Sequence, residues 1–308
     1  MMKEELKQNG TYRKIVEWAN MHFPVTVAKM RYRMLFGKPL HLNPPVNLNE
    51  KILWLSLYSD TSEWTRLADK HKVREYISEQ GFENILVPLY GKWDKAEDIE
   101  WNKLPDSFVL KTNHGCGAVW IVEDKSTIDK GEITKSLNDS LSRIYGKDTS
   151  ERHYTRIKPC VIAEQLLKPS PEDLKMSTSL IDYKIWCMNG RAEYIWVVSN
   201  RCPEHFDGTM FDREWNVVPN VVRPDVAHVH IPHTTVKRPD GLEDMIQIAE
   251  TLSRPFAEVR VDLYYVGRKI YFGELTFTTH GGTIDYMTEE HLMKMGEKID
   301  ISKVKKIR

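Results

Sequence analysis

The sequence predicts an α+β fold, a mainly helical N-terminal region followed by antiparallel strands. Three observations carry that expectation. Apolar residues recur at helical spacing through 12–35, 50–59 and 64–80, residues 108–120 read as strand, glycine-containing loop and strand, and 182–199 and 258–283 read as hairpins. No internal repeat or low-complexity segment interrupts the pattern.

Taken in order, residues 12–22 hold Ile15, Val16, Trp18 and Ala19 at helical spacing, with Phe23 following. After Pro24 a second helix carries Val27, Met30, Met34 and Leu35, with Lys29, Arg31 and Arg33 interleaved. It is basic and amphipathic, and fits either a helix packed on the body with its arginines in water or one docked to an anionic membrane surface. Gly37 and Pro39 end it, residues 41–47 form an extended connector, and Asn47 or Asn49 caps the next helix, 50–59. A helix over 64–80 stops at Gly81. Residues 85–91 are extended, 108–111 a strand, 129–145 an amphipathic helix and 160–167 a buried strand. The first late hairpin turns at Asn189-Gly190, a helix spans 243–252, and the tail after Glu289 is helical with a basic end.

With 308 residues the chain supports a sizeable core and one to three domains. Lys plus Arg equals Asp plus Glu at 44 each, so no global field attracts nucleic acid, and any polyanion site must be local. Nine Trp and thirteen Tyr serve core packing or the stacking of sugars and bases. Cys116, Cys160, Cys187 and Cys202 form no C-x-x-C pair, which argues against a zinc ribbon or a disulfide framework and for a reducing, cytoplasmic setting. The N-terminal residues lack the apolar core of a signal peptide, and no run approaches a transmembrane helix.

Two stretches carry chemistry. Gly115 and Gly117 let the loop after Lys111 turn backbone N–H groups toward a phosphate, although a plain hairpin turn reads the same way. Asp262 and Glu274 project from neighbouring antiparallel strands beside Arg260, Thr276 and the Gly281-Gly282 pair. That set suits a hard divalent cation or, equally, an ordinary solvated hairpin. His228, His230 and His233 lack a nearby carboxylate or cysteine to complete a metal set, so they are expected to be solvated or packed.

The order of these features resembles the ATP-grasp superfamily: Lys70 at a helix start, strand and Lys111 with the glycine loop, a strand with the Glu164 hinge, a hairpin with Lys184, then Arg260-Val-Asp262 and Glu274-Leu-Thr276. Asn49-Glu50-Lys51, Ala68-Asp69-Lys70, Arg74, residues 104–111, Asn113-His114-Gly115-Cys116-Gly117 and Asp182-Tyr183-Lys184 are similar to its TupA-like branch, named for teichuronopeptide synthesis and frequent among bacterial surface-polysaccharide enzymes. The resemblance implies two α+β subdomains clasping ATP, spanning 65–158 and 159–308 behind a helical region, 1–64.

It also implies roles. Lys70 and Lys111 would hold the α and β phosphates, and the backbone of Asn113, His114, Gly115, Cys116, Gly117 and Ala118 would cover the β and γ phosphates. Glu164, Gln165, Leu166 and Leu167 would form the adenine hinge, with Asp182 on the ribose and Lys184 facing the phosphates. Asp262, Glu274 and Thr276 would hold Mg2+, two ions in the superfamily pattern. Thr276 stands where that pattern has Asn, and a hydroxyl is the weaker magnesium ligand. Arg260 would stabilise the transition state, and Arg201 or His280 would meet the acceptor. The implied activity is a carboxylate-amine ligase acting through an acyl phosphate, with an amine and a glycan or glycolipid-linked carboxylate as partners, in the cytoplasm or at the inner face of the membrane. A sugar kinase on the same fold and a non-catalytic nucleotide-binding protein are the alternatives.

Overall fold

The computed structural model describes residues 10–115, 119–149, 151–232 and 236–307. Helices α1 (Gly10–His22) and α2 (Pro24–Phe36) form the N-terminal hairpin, with Pro24 opening α2 and Gly37, at φ 68°, closing it. Helix α3 (Leu48–Tyr58) starts at Asn47, whose side chain accepts from Glu50 N–H while the Glu50 carboxylate takes the Asn47 N–H. This capping box satisfies two backbone donors reciprocally. Asn47 Nδ2 also donates to Tyr32 Oη at 3.2 Å, which ties α2 to α3.

The helix expected over 64–80 is instead two, α4 (Ser62–Leu67) and α5 (Val73–Glu79). Asp69 causes the break: its carboxylate accepts from the N–H groups of His71 (2.9 Å) and Lys72 (3.2 Å), a local alternative to the helical ladder. Lys70 N–H, released from the helix, bonds Asn113 C=O at 3.0 Å.

A four-stranded antiparallel sheet has the order β1–β4–β2–β3, built from β1 (Leu89–Trp93), β2 (Phe108–Thr112), β3 (Val119–Val122) and β4 (Val161–Glu164). Helix α6 (Lys130–Leu141), capped by Asp129, packs Ile133 and Leu137 against Phe108, Leu110 and Val161. The strand expected to reach residue 167 stops at Glu164, and Gln165 N–H bonds Pro88 C=O as the chain leaves.

A six-stranded sheet follows with the order β10–β9–β5–β6–β7–β8: β5 (Asp182–Met188), β6 (Arg191–Ser199), β7 (Phe206–Asp212), β8 (Val229–His230), β9 (Glu258–Val266) and β10 (Lys269–Thr276). One face buries Ile185, Ile195, Val259 and Val261 with Met245, Ala249 and Leu252 of α7 (Leu242–Ser253). The opposite face buries Trp186, Met188 and Trp196 against Leu48 and Ile52 of α3 and Leu292 and Met295 of α8 (Glu289–Glu297). Helix α8 ends at Glu297, and residues 300–307 are not helical as the sequence suggested.

Lys51 donates to Gly296 C=O (2.7 Å) and Ile299 C=O (2.6 Å), so α3 supplies the cation at the end of α8. Replacing Asn47 with Ala removes the cap and the Tyr32 contact together. Urea denaturation should show a loss of roughly 1–2 kcal/mol.

Candidate active site

Strand register builds the site on the second face of the six-stranded sheet, beyond Trp186. Lys184 pairs with Asp262, Trp186 with Arg260 and Asp182 with Tyr264, so alternate residues of β5 and β9 share one face. On β10, Thr276 lies opposite Arg260. Glu274 reaches the same face only through a bulge: Phe272 pairs with Leu263, and the next paired residue, Glu274, faces Asp262. The skipped residue is Gly273, where a Cβ would lie 2.9 Å from the Asp262 carbonyl oxygen. A glycine inside a strand pattern is the one sequence signal of such a bulge.

Asp262 is the hub. Arg260 grips it in a two-pronged contact, Nε to Oδ1 and Nη2 to Oδ2, both at 2.7 Å, and Lys184 Nζ lies 2.6 Å from Oδ2. The same lysine is 3.1 Å from Asp182, which Arg201 approaches at 3.4 Å from the exposed rim. Arg260 extends further, to Thr276 Oγ1 and Thr279 Oγ1 at 3.2 Å each and to Glu274 at 3.7 Å. Thr276 Oγ1 in turn donates to Glu274 at 3.3 Å. Burial opposes the charge on Arg260 and Lys184, but the surrounding carboxylates outweigh it and raise both pKa values. Tyr264, facing Asp182 and buried beside it, is raised well above the ordinary phenol value.

Lys70 crosses the cleft. Its ammonium donates to Gly115 C=O at 2.8 Å and lies 3.4 Å from Glu274 on β10. Glu274 has 39% of its side chain exposed and keeps its charge: burial acts against it, but Lys70, Lys184 and Arg260 pull its pKa down to about 2. Gly115, at φ 86°, has no room for a side chain, since a Cβ would lie 2.3 Å from the Tyr145 ring.

The first sheet contributes a second charged group. Lys111 Nζ is 2.5 Å from Glu164, which also takes Arg74 at 3.3 Å. Beyond it, Gln165, Leu166 and Leu167 line a cleft of about 460 Å3 together with Ser107, Val266 and Tyr271, so the segment after β4 opens between the two sheets.

Some expected residues turn elsewhere. The Asn113 side chain spans Lys158 C=O and Cys160 N–H, and its N–H and C=O are taken by Cys160 and Lys70, so neither its amide nor its backbone N–H is open to a phosphate. His114 is buried, with Nε2 on Arg143 C=O. Cys116, Gly117 and Ala118 lie outside the described residues, as does His233. His280 is exposed, adopts a left-handed φ of 51°, rests edge-on against Tyr286 at 5.1 Å, and follows Thr279, whose hydroxyl accepts from Arg260. His230 stacks on His205 at 4.0 Å, and no group of three or more metal-binding side chains forms among the described residues. Sequence reasoning gave no role to Arg74, to Thr279 or to Glu151, whose carboxylate accepts from Thr278 Oγ1 at 2.7 Å. Arg74 stands among the residues similar to the TupA-like branch without a role implied there, and neither Thr279 nor Glu151 belongs to a motif whose spacing announces a contact.

Two α+β halves whose lysines and carboxylates meet across a cleft define an ATP-grasp protein. Within that superfamily the chain belongs to the TupA-like ATP-grasp family, whose model matches residues 50–300. Among solved structures it is similar to a D-alanine–D-alanine ligase from Bacillus anthracis complexed with ATP, at 16% identity and a TM-score of 0.42, over 71% of this chain and 57% of that one. A second structure of that ligase aligns at 16% identity and a TM-score of 0.46, over 81% and 69%. The biotin carboxylase domain of the Hydrogenobacter thermophilus 2-oxoglutarate carboxylase, with MgADP and bicarbonate, aligns at 10% identity and a TM-score of 0.42, over 80% and 48%. A search of curated proteins finds no significant match.

Glu274 makes the site a source of acid sensitivity. Its folded pKa lies below the ordinary 4.5, so its contribution to stability is full above about pH 4.5 and is lost as pH falls toward about 2. Acid unfolding followed by circular dichroism should therefore show a shallower slope over that window in Glu274→Gln than in the unsubstituted protein.

Proposed function

We propose that the chain is an ATP- and Mg2+-dependent carboxylate-amine ligase, joining an amino acid or related amine to a uronic-acid carboxyl of a surface polysaccharide or its precursor. The observation that carries this reading is the convergence of Lys70, Lys184 and Arg260 with Asp262 and Glu274 at one point of the cleft. Family membership supports ATP as the nucleotide, and the amine and glycan rest on the branch's resemblance to surface-polysaccharide enzymes.

The residues fit magnesium. The ion takes oxygen ligands and usually keeps open positions for phosphate, and a charged, half-open Glu274 beside Asp262 supplies one or two carboxylates rather than a closed cage. Asp262 spends both oxygens on Arg260 and Lys184 while Glu274 carries the open carboxylate, so Glu274 would hold the ion with Asp262 beside it. Thr276, engaged by Arg260 and Glu274, holds the carboxylate in place. When bound, the ion neutralises phosphate charge that would repel an incoming carboxylate.

The chain's own groups do the positioning. Lys111 and Lys70 lie on the side of the glycine loop, and Lys184 and Arg260 on the opposite sheet, so cations flank a phosphoryl group from two directions. In the proposed reaction the acceptor carboxylate displaces ADP from the γ-phosphorus to give an acyl phosphate. The amine then attacks the acyl carbon, phosphate leaves and the amine loses a proton. Arg260, donor to both Thr276 and Thr279, is anchored where negative charge grows on the transferred group.

Glu274→Ala should abolish ATP consumption while the thermal transition persists; turnover near the unsubstituted level removes the assignment. With the unsubstituted protein, ADP release in a screen of amino acids against uronic-acid glycans should require both partners, and hydroxylamine should yield a hydroxamate. Phosphate retained on the glycan would mark a kinase instead.

A further inference from the structure

Helices α1 and α2 present a face that no described residue covers. Ile15, Trp18 and Met21, three residues apart on α1, are each more than half exposed, as are Phe23 at its end and Met30 and Met34, four apart on α2. Trp18 stacks on His22 at 4.8 Å and meets Phe23 edge-on at 5.9 Å, forming an aromatic cluster on the outside of the molecule. A single exposed apolar side chain is ordinary; a run of six within twenty residues is a surface for a partner.

The other side of the hairpin is already used. Ala28 and Tyr32 are buried, Asn20 Nδ2 donates to Lys147 C=O at 2.9 Å, and Arg152 donates to Met21 C=O at 3.3 Å. The exposed face is therefore fixed in its orientation rather than waiting to fold inward.

Charge selects the partner. Residues 10–38 contain six Lys and Arg against one acid, Glu17, in a chain whose total charge is zero. Lys14, Lys29 and Arg33 are exposed among the apolar residues, whereas Glu17 is half-buried. Trp and Phe at the boundary, methionines and isoleucine beside them and cations interleaved match a lipid surface with anionic headgroups. No helix among the described residues is long and apolar enough to cross a membrane.

We propose that the α1–α2 hairpin docks the protein on an anionic lipid bilayer. The inference goes beyond the ligase reading and does not need it, but the two meet in the fold. The inner side of the hairpin borders the turn beside the candidate site: a Cβ at Gly281 would lie 3.8 Å from Arg31 and 3.6 Å from Glu151. Glu151 holds Thr278, whose neighbour Thr279 holds Arg260. The hairpin is thus tied through its inner side to the turn that carries Thr278 and Thr279.

Sedimentation with vesicles tests this without any nucleotide chemistry. The protein should pellet with vesicles of about three parts phosphatidylcholine to one part phosphatidylglycerol and not with phosphatidylcholine alone, and binding should weaken at about 0.5 M salt. Reversing charge in K29E/R33E should weaken binding roughly thirtyfold or more, since losing the two cations alone costs roughly 1 kcal/mol per charge near the surface. W18S/F23S should remove it with the thermal transition unchanged. Failure to pellet with either vesicle overturns the proposal, as does undiminished binding by W18S/F23S. Self-association that W18S/F23S abolishes, in place of vesicle binding, also overturns it and gives the face to a second copy.

Discussion

The carboxylate of Asp262 is the constraint on which the rest of the site depends. Only 3% of its side chain is exposed, and a buried anion is tolerated only with cations and hydrogen bonds arranged around it. Arg260 and Lys184 meet that demand, and in doing so they become fixed themselves. Arg260 has donors left for Thr276 and Thr279, and Lys184 has reach left for Asp182. One desolvated group thereby aligns side chains from β5, β9, β10 and the turn that follows.

The opposing half is positioned by a different device. Asp69 breaks a helix that apolar spacing alone would have continued, and the break sends Lys70 to Asn113 through its backbone and to Gly115 through its ammonium. Tyr145 fills the space a side chain at residue 115 would need, so the loop passes close to the aromatic ring. Local competition for backbone hydrogen bonds thus decides where a charge ends up.

Much of this was readable beforehand, for identifiable reasons. The hairpins over β5–β6 and β9–β10 announce themselves through alternation and through Asn189-Gly190 and Gly267-Arg268, which take the positive φ their turns require. Lys184, Arg260, Asp262 and Glu274 lie at positions whose parity places them on one face once the Gly273 bulge is counted. The split of the 64–80 helix was not readable, because apolar periodicity runs through it and only the acceptor geometry of Asp69 ends it. Nor could pattern show that the Asn113 amide staples two strands or that Glu164 is claimed by Lys111 and Arg74. Those partners are far apart in sequence, and tertiary contact alone unites them.

Lys70 bonds a carbonyl on one side of the cleft and a carboxylate on the other. Cation and carboxylate therefore neutralise each other across the cleft. On the proposed ligase reading, a phosphate that claimed this lysine would expose Glu274 in the same movement, and a cation on Glu274 would free the lysine for phosphate. Each ligand would then remove the competitor of the other, so on that reading anion and cation affinities are coupled through a single side chain, with an equal gain in both directions.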